Sequence, residues 1–105
     1  MHRLFVPLAL TALAASSAYA ADAAAGKAVY DRACKSCHGA DGTPNPAIAK
    51  MMHVEMKDLK SSDVQSMSGE DIKKIVMDGK GKMHPVKSVT GKQLDDVAAY
   101  VKSLK

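Results

Sequence analysis

The 105-residue chain contains no tryptophan, one phenylalanine and three tyrosines. Phe5 and Tyr19 fall within the first twenty residues, so the remainder carries only Tyr30 and Tyr100 as aromatic rings. Recognition of single-stranded nucleic acid by base stacking needs several such platforms. A strong excess of one charge is also missing: 15 Lys and Arg face 11 Asp and Glu, a formal +4. With no dense basic run, that is far from the electrostatic footprint of a nucleic-acid binder. Cysteine is limited to Cys34 and Cys37. A bridge between them would close so short a loop that it constrains little of the unfolded chain, so the pair is no disulfide framework. Internal repeats, strand-like alternation, a phosphate-binding glycine loop and a Ser/His/Asp spacing are all lacking, which points to an all-α domain that is not an enzyme.

What is present begins with a leader. His2 and Arg3 precede the apolar run 4–15, and the small residues Ser16-Ser17-Ala18-Tyr19-Ala20 follow it. A positive start, an apolar stretch and an Ala-x-Ala site are the pattern of a secretory signal peptide. The run falls short of the roughly 20 apolar residues a membrane-spanning helix needs. Residues 1–20 are therefore expected to be a signal peptide cut after Ala20, and residues 21–105 a single exported, periplasmic domain without a membrane span. Those 85 residues hold 14 basic and 11 acidic side chains, a net +3, since Arg3 is the basic residue lost. A core of this size supplies only a few kcal/mol and usually needs a staple.

Helix signals cover much of the domain. Asp22 can cap a helix through Ala23–Ala25, Val29, Tyr30 and Ala33, running to about Cys34 or Cys37. Turn residues from Gly39 to Pro46 follow directly. A short helix is expected over 47–56, a connector over 61–68, and a helix capped at Ser68 with Ile72, Ile75 and Val76 on one face, stopped by Gly79. After an irregular stretch over 79–89, Thr90-Gly91-Lys92-Gln93 fits a capping box for a last helix with the stripe Leu94, Val97, Ala98, Val101 and Leu104.

The chemically informative stretch is Cys34-Lys35-Ser36-Cys37-His38, the attachment pattern of c-type haem. Two thiols three positions apart at a helix end can reach both vinyl groups of one porphyrin, and the adjacent His38 then falls beneath the iron as proximal ligand. A covalently held macrocycle would be the missing staple. A thioredoxin-like thiol pair expects a βαβ context that is lacking here. A zinc site would have to draw on Cys34, Cys37, His38, His53 and His84 without finger spacing.

Three blocks make the chain resemble the class I c-type cytochromes over residues 22–105. They are Gly26-Lys27-Ala28-Val29-Tyr30 with the Cys34–Gly39 segment, Gly79-Lys80-Gly81-Lys82-Met83, and Leu94-Asp95-Asp96-Val97-Ala98-Ala99-Tyr100-Val101. The resemblance implies a small cytochrome c fold, three to five short helices wrapped around one covalent haem c. It implies that the first and last helices cross at Gly26, with Tyr30 and Tyr100 beside it. It implies a His/Met iron, with Met83 as distal ligand among six methionines of the domain; Met51, Met52 and Met56 are expected in a helix as filler. His84 stands where the family often has proline and is an alternative ligand, whereas His53 is expected to be exposed. It further implies that a loop proline carbonyl, Pro46 or else Pro44, accepts a hydrogen bond from His38. The function implied is one-electron transfer with transient redox partner proteins. Lys35, Lys80, Lys82 and Lys87 lie in segments expected near the haem and are expected to form a basic rim facing an acidic partner, and the protein is expected to be a monomer. Asp95 and Asp96 are expected on the exposed face of the last helix. Other readings are a haem-based small-ligand sensor with an open sixth position, or a subunit of a larger oxidoreductase.

Overall fold

The computed structural model describes residues 20–105, so the expected leader lies outside the described residues apart from Ala20. Six helices follow in order: α1 (Ala23–Ala33), α2 (Lys35–His38), α3 (Pro46–Met52), α4 (Ser62–Gln65), α5 (Gly69–Asp78) and α6 (Lys92–Ser103). No strand occurs among the described residues, and the all-α expectation holds. The count exceeds the three to five expected because α2 and α4 are single turns.

The Asp22 carboxylate accepts from the backbone N–H groups of Ala24 at 2.9 Å and Ala25 at 3.1 Å, satisfying two of the donors a helix start leaves free. Ser68 Oγ does the same for α5, accepting from Asp71 N–H at 3.0 Å. The capping box expected for α6 forms only in part. Gln93 Oε1 accepts from Thr90 N–H at 3.5 Å, but the residue at the cap is Gly91, which has no side chain to offer.

α1 and α6 cross in direct backbone contact. A Cβ on Gly26 would lie 1.9 Å from the Asp96 carbonyl oxygen and 2.9 Å from Tyr100 Cβ, so the crossing requires glycine at this position. The Tyr30 and Tyr100 rings lie beside it, 5.1 Å apart and tilted by 53°. Below the crossing Val29 and Tyr30 pack with Val97, Ala98 and Val101, and α5 adds Ile72 and Val76.

Asp95 and Asp96 are not the solvated pair expected. Asp96 is 5% exposed, and its carboxylate accepts from Asp22 N–H at 2.8 Å and from Lys92 Nζ at 2.9 Å. Asp95 pairs with Lys73 Nζ at 2.6 Å and so ties α6 to α5. The Gly26 crossing brings the start of α1 against Asp96, which is why that side of α6 is covered.

Two boundaries also differ. α3 stops at Met52 because His53 takes a left-handed conformation, φ 56 and ψ 48. The 61–68 connector contains α4 and is stapled to α6: Gln65 Nε2 donates to the carbonyls of Leu59 at 2.7 Å and Val101 at 2.9 Å. Lys102 Nζ donates back to the carbonyls of Gln65 and Met67. These bonds fix Leu59, Val64 and Met67 on the inner side of the molecule.

Candidate functional site

α1 ends one residue before the first cysteine. Cys34 leaves helical geometry at φ −123 and ψ −29, while its N–H still donates to Tyr30 O at 2.8 Å. The single turn α2 then presents Cys37 and His38. Gly39, at φ 77, reverses the chain so tightly that a Cβ there would lie 2.1 Å from the Thr43 carbonyl oxygen. The return strand of the loop pins α2 from below: Asn45 N–H donates to Cys37 O at 2.9 Å and Asn45 Nδ2 to Ser36 O at 3.2 Å. From the core, the Tyr30 hydroxyl donates to Gly39 O at 2.7 Å. Burial, with the nearby Cys34 thiol, pushes the Tyr30 phenol well above its ordinary pKa, so it remains a donor. The motif is thus held by a fully buried side chain eight to nine residues upstream.

Cys34, Cys37 and His38 line one cleft of about 780 Å³ with Val54, Met56, Leu59, Val64, Met67, Ile75, Met83 and Val86 on its wall. That volume lies within the roughly 300–1,000 Å³ of small-molecule sites. Both cysteines are half-buried, are not joined to each other, and line the same space. Burial pushes the Cys34 thiol up to about 11 against a lowering by Arg32, which keeps it a neutral thiol at ordinary pH. Burial also lowers the His38 pKa, favouring the neutral imidazole that a metal requires. His38 Nδ1 is buried with no hydrogen-bond partner among the described residues. The bond expected to Pro46 or Pro44 is therefore not made. Pro46 is the first residue of α3, capped by Asn45.

Among the methionines, the cleft receives Met52, Met56, Met67 and Met83, whereas Met51 is 67% and Met77 48% exposed. Met56 lies beyond the end of α3 and is not helical filler. Met83 sits on a tight turn closed by reciprocal backbone bonds, Lys80 N–H to Met83 O at 3.0 Å and Met83 N–H to Lys80 O at 2.9 Å. His84 reaches the cleft rim; His53 is exposed and does not line it. Lys80, Lys82 and Lys87 line the cleft as expected, joined by Lys57, with Glu55 the acid among them. Lys35 is exposed on α2 but is not part of the lining. Lys57 and Glu55 were missed because 47–56 was expected to be helix, whereas from Met52 to Asp58 half-buried and exposed residues alternate, the period of an extended chain.

Two thiols, a neutral imidazole with one nitrogen unsatisfied and an apolar slot of this size fit a flat, covalently attached, iron-bearing macrocycle. The arrangement defines a helical haem-carrying domain. The cytochrome c family matches residues 23–105. Cytochrome c-554(547) of Halothiobacillus neapolitanus is 31% identical over 91 residues, covering 82% of this chain and all of that protein. A solved c-type cytochrome, KustC0563, superposes with a TM-score of 0.64 at 24% identity, covering 76% of this chain and 96% of that one, a likeness of fold. The chain belongs to the cytochrome c family, as a class I c-type cytochrome. Membership implies covalently bound haem c and a role in haem-based electron transfer. No helix among the described residues is long and apolar enough to cross a membrane.

Proposed function

We propose that this chain is an exported one-electron carrier that holds one haem c through Cys34 and Cys37, with His38 and Met83 as axial iron ligands. The observation that carries the reading is the convergence of both thiols, the His38 imidazole and Met83 on one apolar cleft. When bound, the haem supplies an iron that alternates between two oxidation states. The protein's part is to orient and exclude. Tyr30 and Asn45 fix α2, and with it the direction of the His38 ring, through the carbonyls they hold. Val54, Met56, Leu59, Val64 and Val86 line the slot with apolar groups, which keeps water from it and favours a high reduction potential. With His38 and Met83 both engaged, small molecules have no open coordination position, and the chain acts by electron transfer, not catalysis. Lys80 and Lys87 at the cleft rim suit transient association with an acidic redox partner, while Lys57 pairs with Asp63. The leader pattern of residues 1–20 supports periplasmic export, with a mature chain beginning at Ala21.

The test is spectroscopic. Met83→Ala should abolish the weak near-infrared sulfur-to-iron band of the oxidised protein, lower the potential and admit carbon monoxide to the reduced protein, while His84→Ala leaves all three unchanged. The reverse pattern establishes bis-histidine ligation. Free access of carbon monoxide in the unmodified protein overturns the carrier in favour of a ligand-binding module.

A further inference from the structure

The Met83 turn is tied firmly at its root. Gly79 N–H donates to Ile75 O at 2.8 Å, and Val86 N–H to Val76 O at 2.8 Å. The bonds between Lys80 and Met83 close the turn on itself and hold it to nothing else. Among the described residues one hydrogen bond joins the tip of this loop to another part of the cleft wall: Lys82 Nζ donates to Met52 O at 2.8 Å, across 30 residues of sequence. Met52 is the last residue of α3. The chain beyond it bonds back to earlier carbonyls, His53 N–H to Lys50 O and Val54 N–H to Ala49 O, so the Met52 carbonyl is one of the acceptors a helix end leaves free. It also carries part of the negative end of the helix dipole, which an ammonium complements. Lys82 and Met52 both line the cleft, as does Met83, the residue next to Lys82.

We propose that Lys82 is a positioning residue: by capping the C-terminal end of α3 it latches the Met83 turn against the far end of the cleft wall and so holds the methionine sulfur in place. The inference rests on Met83 as the distal ligand. It also divides the rim lysines by task. Lys82 is committed inward, whereas Lys80 and Lys87 have no carboxylate within 4.0 Å among the described residues and stay available to a partner.

The experiment compares the holoprotein with Lys82→Ala and Lys82→Arg in two measurements. Amide hydrogen exchange reports the turn itself. An exposed, charge-assisted bond corresponds to about a threefold change in an opening equilibrium. Exchange at Lys80 and Met83 should therefore rise about threefold in Lys82→Ala, with Val86 unchanged as the root of the loop. Carbon monoxide association with the reduced protein should rise by the same factor, because ligand entry then follows turn opening. Lys82→Arg, which keeps a cation within reach, should restore both. Unaltered exchange in Lys82→Ala overturns the latch. Faster exchange with unaltered carbon monoxide association overturns its role in positioning the ligand. Met83→Ala beside them separates the two ideas: if it opens the iron and Lys82→Ala does not, the latch fails and the ligand assignment stands. If Met83→Ala is silent toward carbon monoxide, the ligand assignment falls, and the positioning role with it, whatever the exchange rates show.

Discussion

Replacing Gly26 by alanine tests whether the fold depends on the closeness of one helix crossing. An added Cβ would sit 1.9 Å from the Asp96 carbonyl oxygen and 2.5 Å from its carbon, where ordinary contact begins at 3.4 Å. α1 and α6 must therefore separate locally by 1.5 Å. Alanine is the better helix former by about 1 kcal/mol, and overpacking a core site costs about 1–3 kcal/mol. A compliant site would come out nearly neutral. This one is not compliant, because its two nearest neighbours are backbone atoms that cannot rotate aside. The displacement passes into Val29 and Tyr30 against Val97, Ala98 and Val101, and into the Asp22 N–H to Asp96 bond. A net loss at the upper end of that difference, about 2 kcal/mol, is expected, which for a domain of this size lowers the melting temperature by roughly 8–16 °C. Thermal unfolding of the holoprotein followed by far-ultraviolet circular dichroism measures it. A melting temperature equal to or above that of the parent would refute the reasoning, since helix propensity alone would then govern the site.

Asp96→Asn should lower stability near neutral pH and flatten its acid dependence. Burial pushes the Asp96 pKa up, but the Lys92 ammonium and the Asp22 N–H outweigh it and hold the carboxyl below its usual value. The stabilisation is thus complete above an unfolded pKa of about 3.9 and lost as pH falls through the lower folded value; melting curves of parent and variant between neutrality and about pH 2 should converge, and parallel curves would contradict the assignment. Electron transfer with an acidic partner should slow as ionic strength rises, because exposed lysines are screened over about 8 Å at physiological salt. Stopped-flow rates independent of salt would leave Lys80 and Lys87 as ordinary surface.

The parts of the fold legible from sequence were those fixed by local chemistry. Asp22, Ser68 and Gly79 announce helix ends through hydrogen-bonding groups or a missing side chain, and the structure uses each so. Cys34, Cys37 and His38 are legible as a unit because one helical turn fixes their spacing. What failed was decided by contacts distant in sequence. Asp96 reads as a solvated helix acid until α1 crosses α6 and delivers the Asp22 N–H to it. The stretch from Ala47 to Met56 reads as helix by composition, yet His53 breaks it after Met52 and the following residues alternate in burial. Lys82 reads as one of several rim lysines; only the fold brings the free Met52 carbonyl within its reach. The bond expected from His38 to Pro46 or Pro44 is also absent, and nothing in the local sequence accounts for it.

Removing the haem should remove the fold. Among the described residues the buried hydrophobic ones are Val29, Tyr30, Val64, Ile72, Val76, Val89, Val97, Ala98 and Val101, a core with one aromatic ring and no leucine or methionine. The apolar side chains Leu59, Met67 and Val86 are only half-buried, pack on that core and also line the cleft. A domain this small has little stability to spare. Without a macrocycle, water would wet the cleft wall, and the burial that stabilises segments 54–67 and 80–88 would be forfeited. Among the described residues those segments are anchored to the helices around them and not to each other: 54–67 to α6 through Gln65 and Lys102, and 80–88 to α3 through Lys82 and to α5 through Val86. A Cys34→Ala, Cys37→Ala double variant, unable to attach haem covalently, should show low helix content and no cooperative thermal transition, while the holoprotein melts in one step. The α1–α6 crossing could persist as a fluctuating pair, since its packing does not involve the cleft, but two helices joined at Gly26 do not make a domain. A sharp melt of the double variant with holoprotein-like helicity would show that the described core suffices by itself, and that haem is carried by a fold already complete.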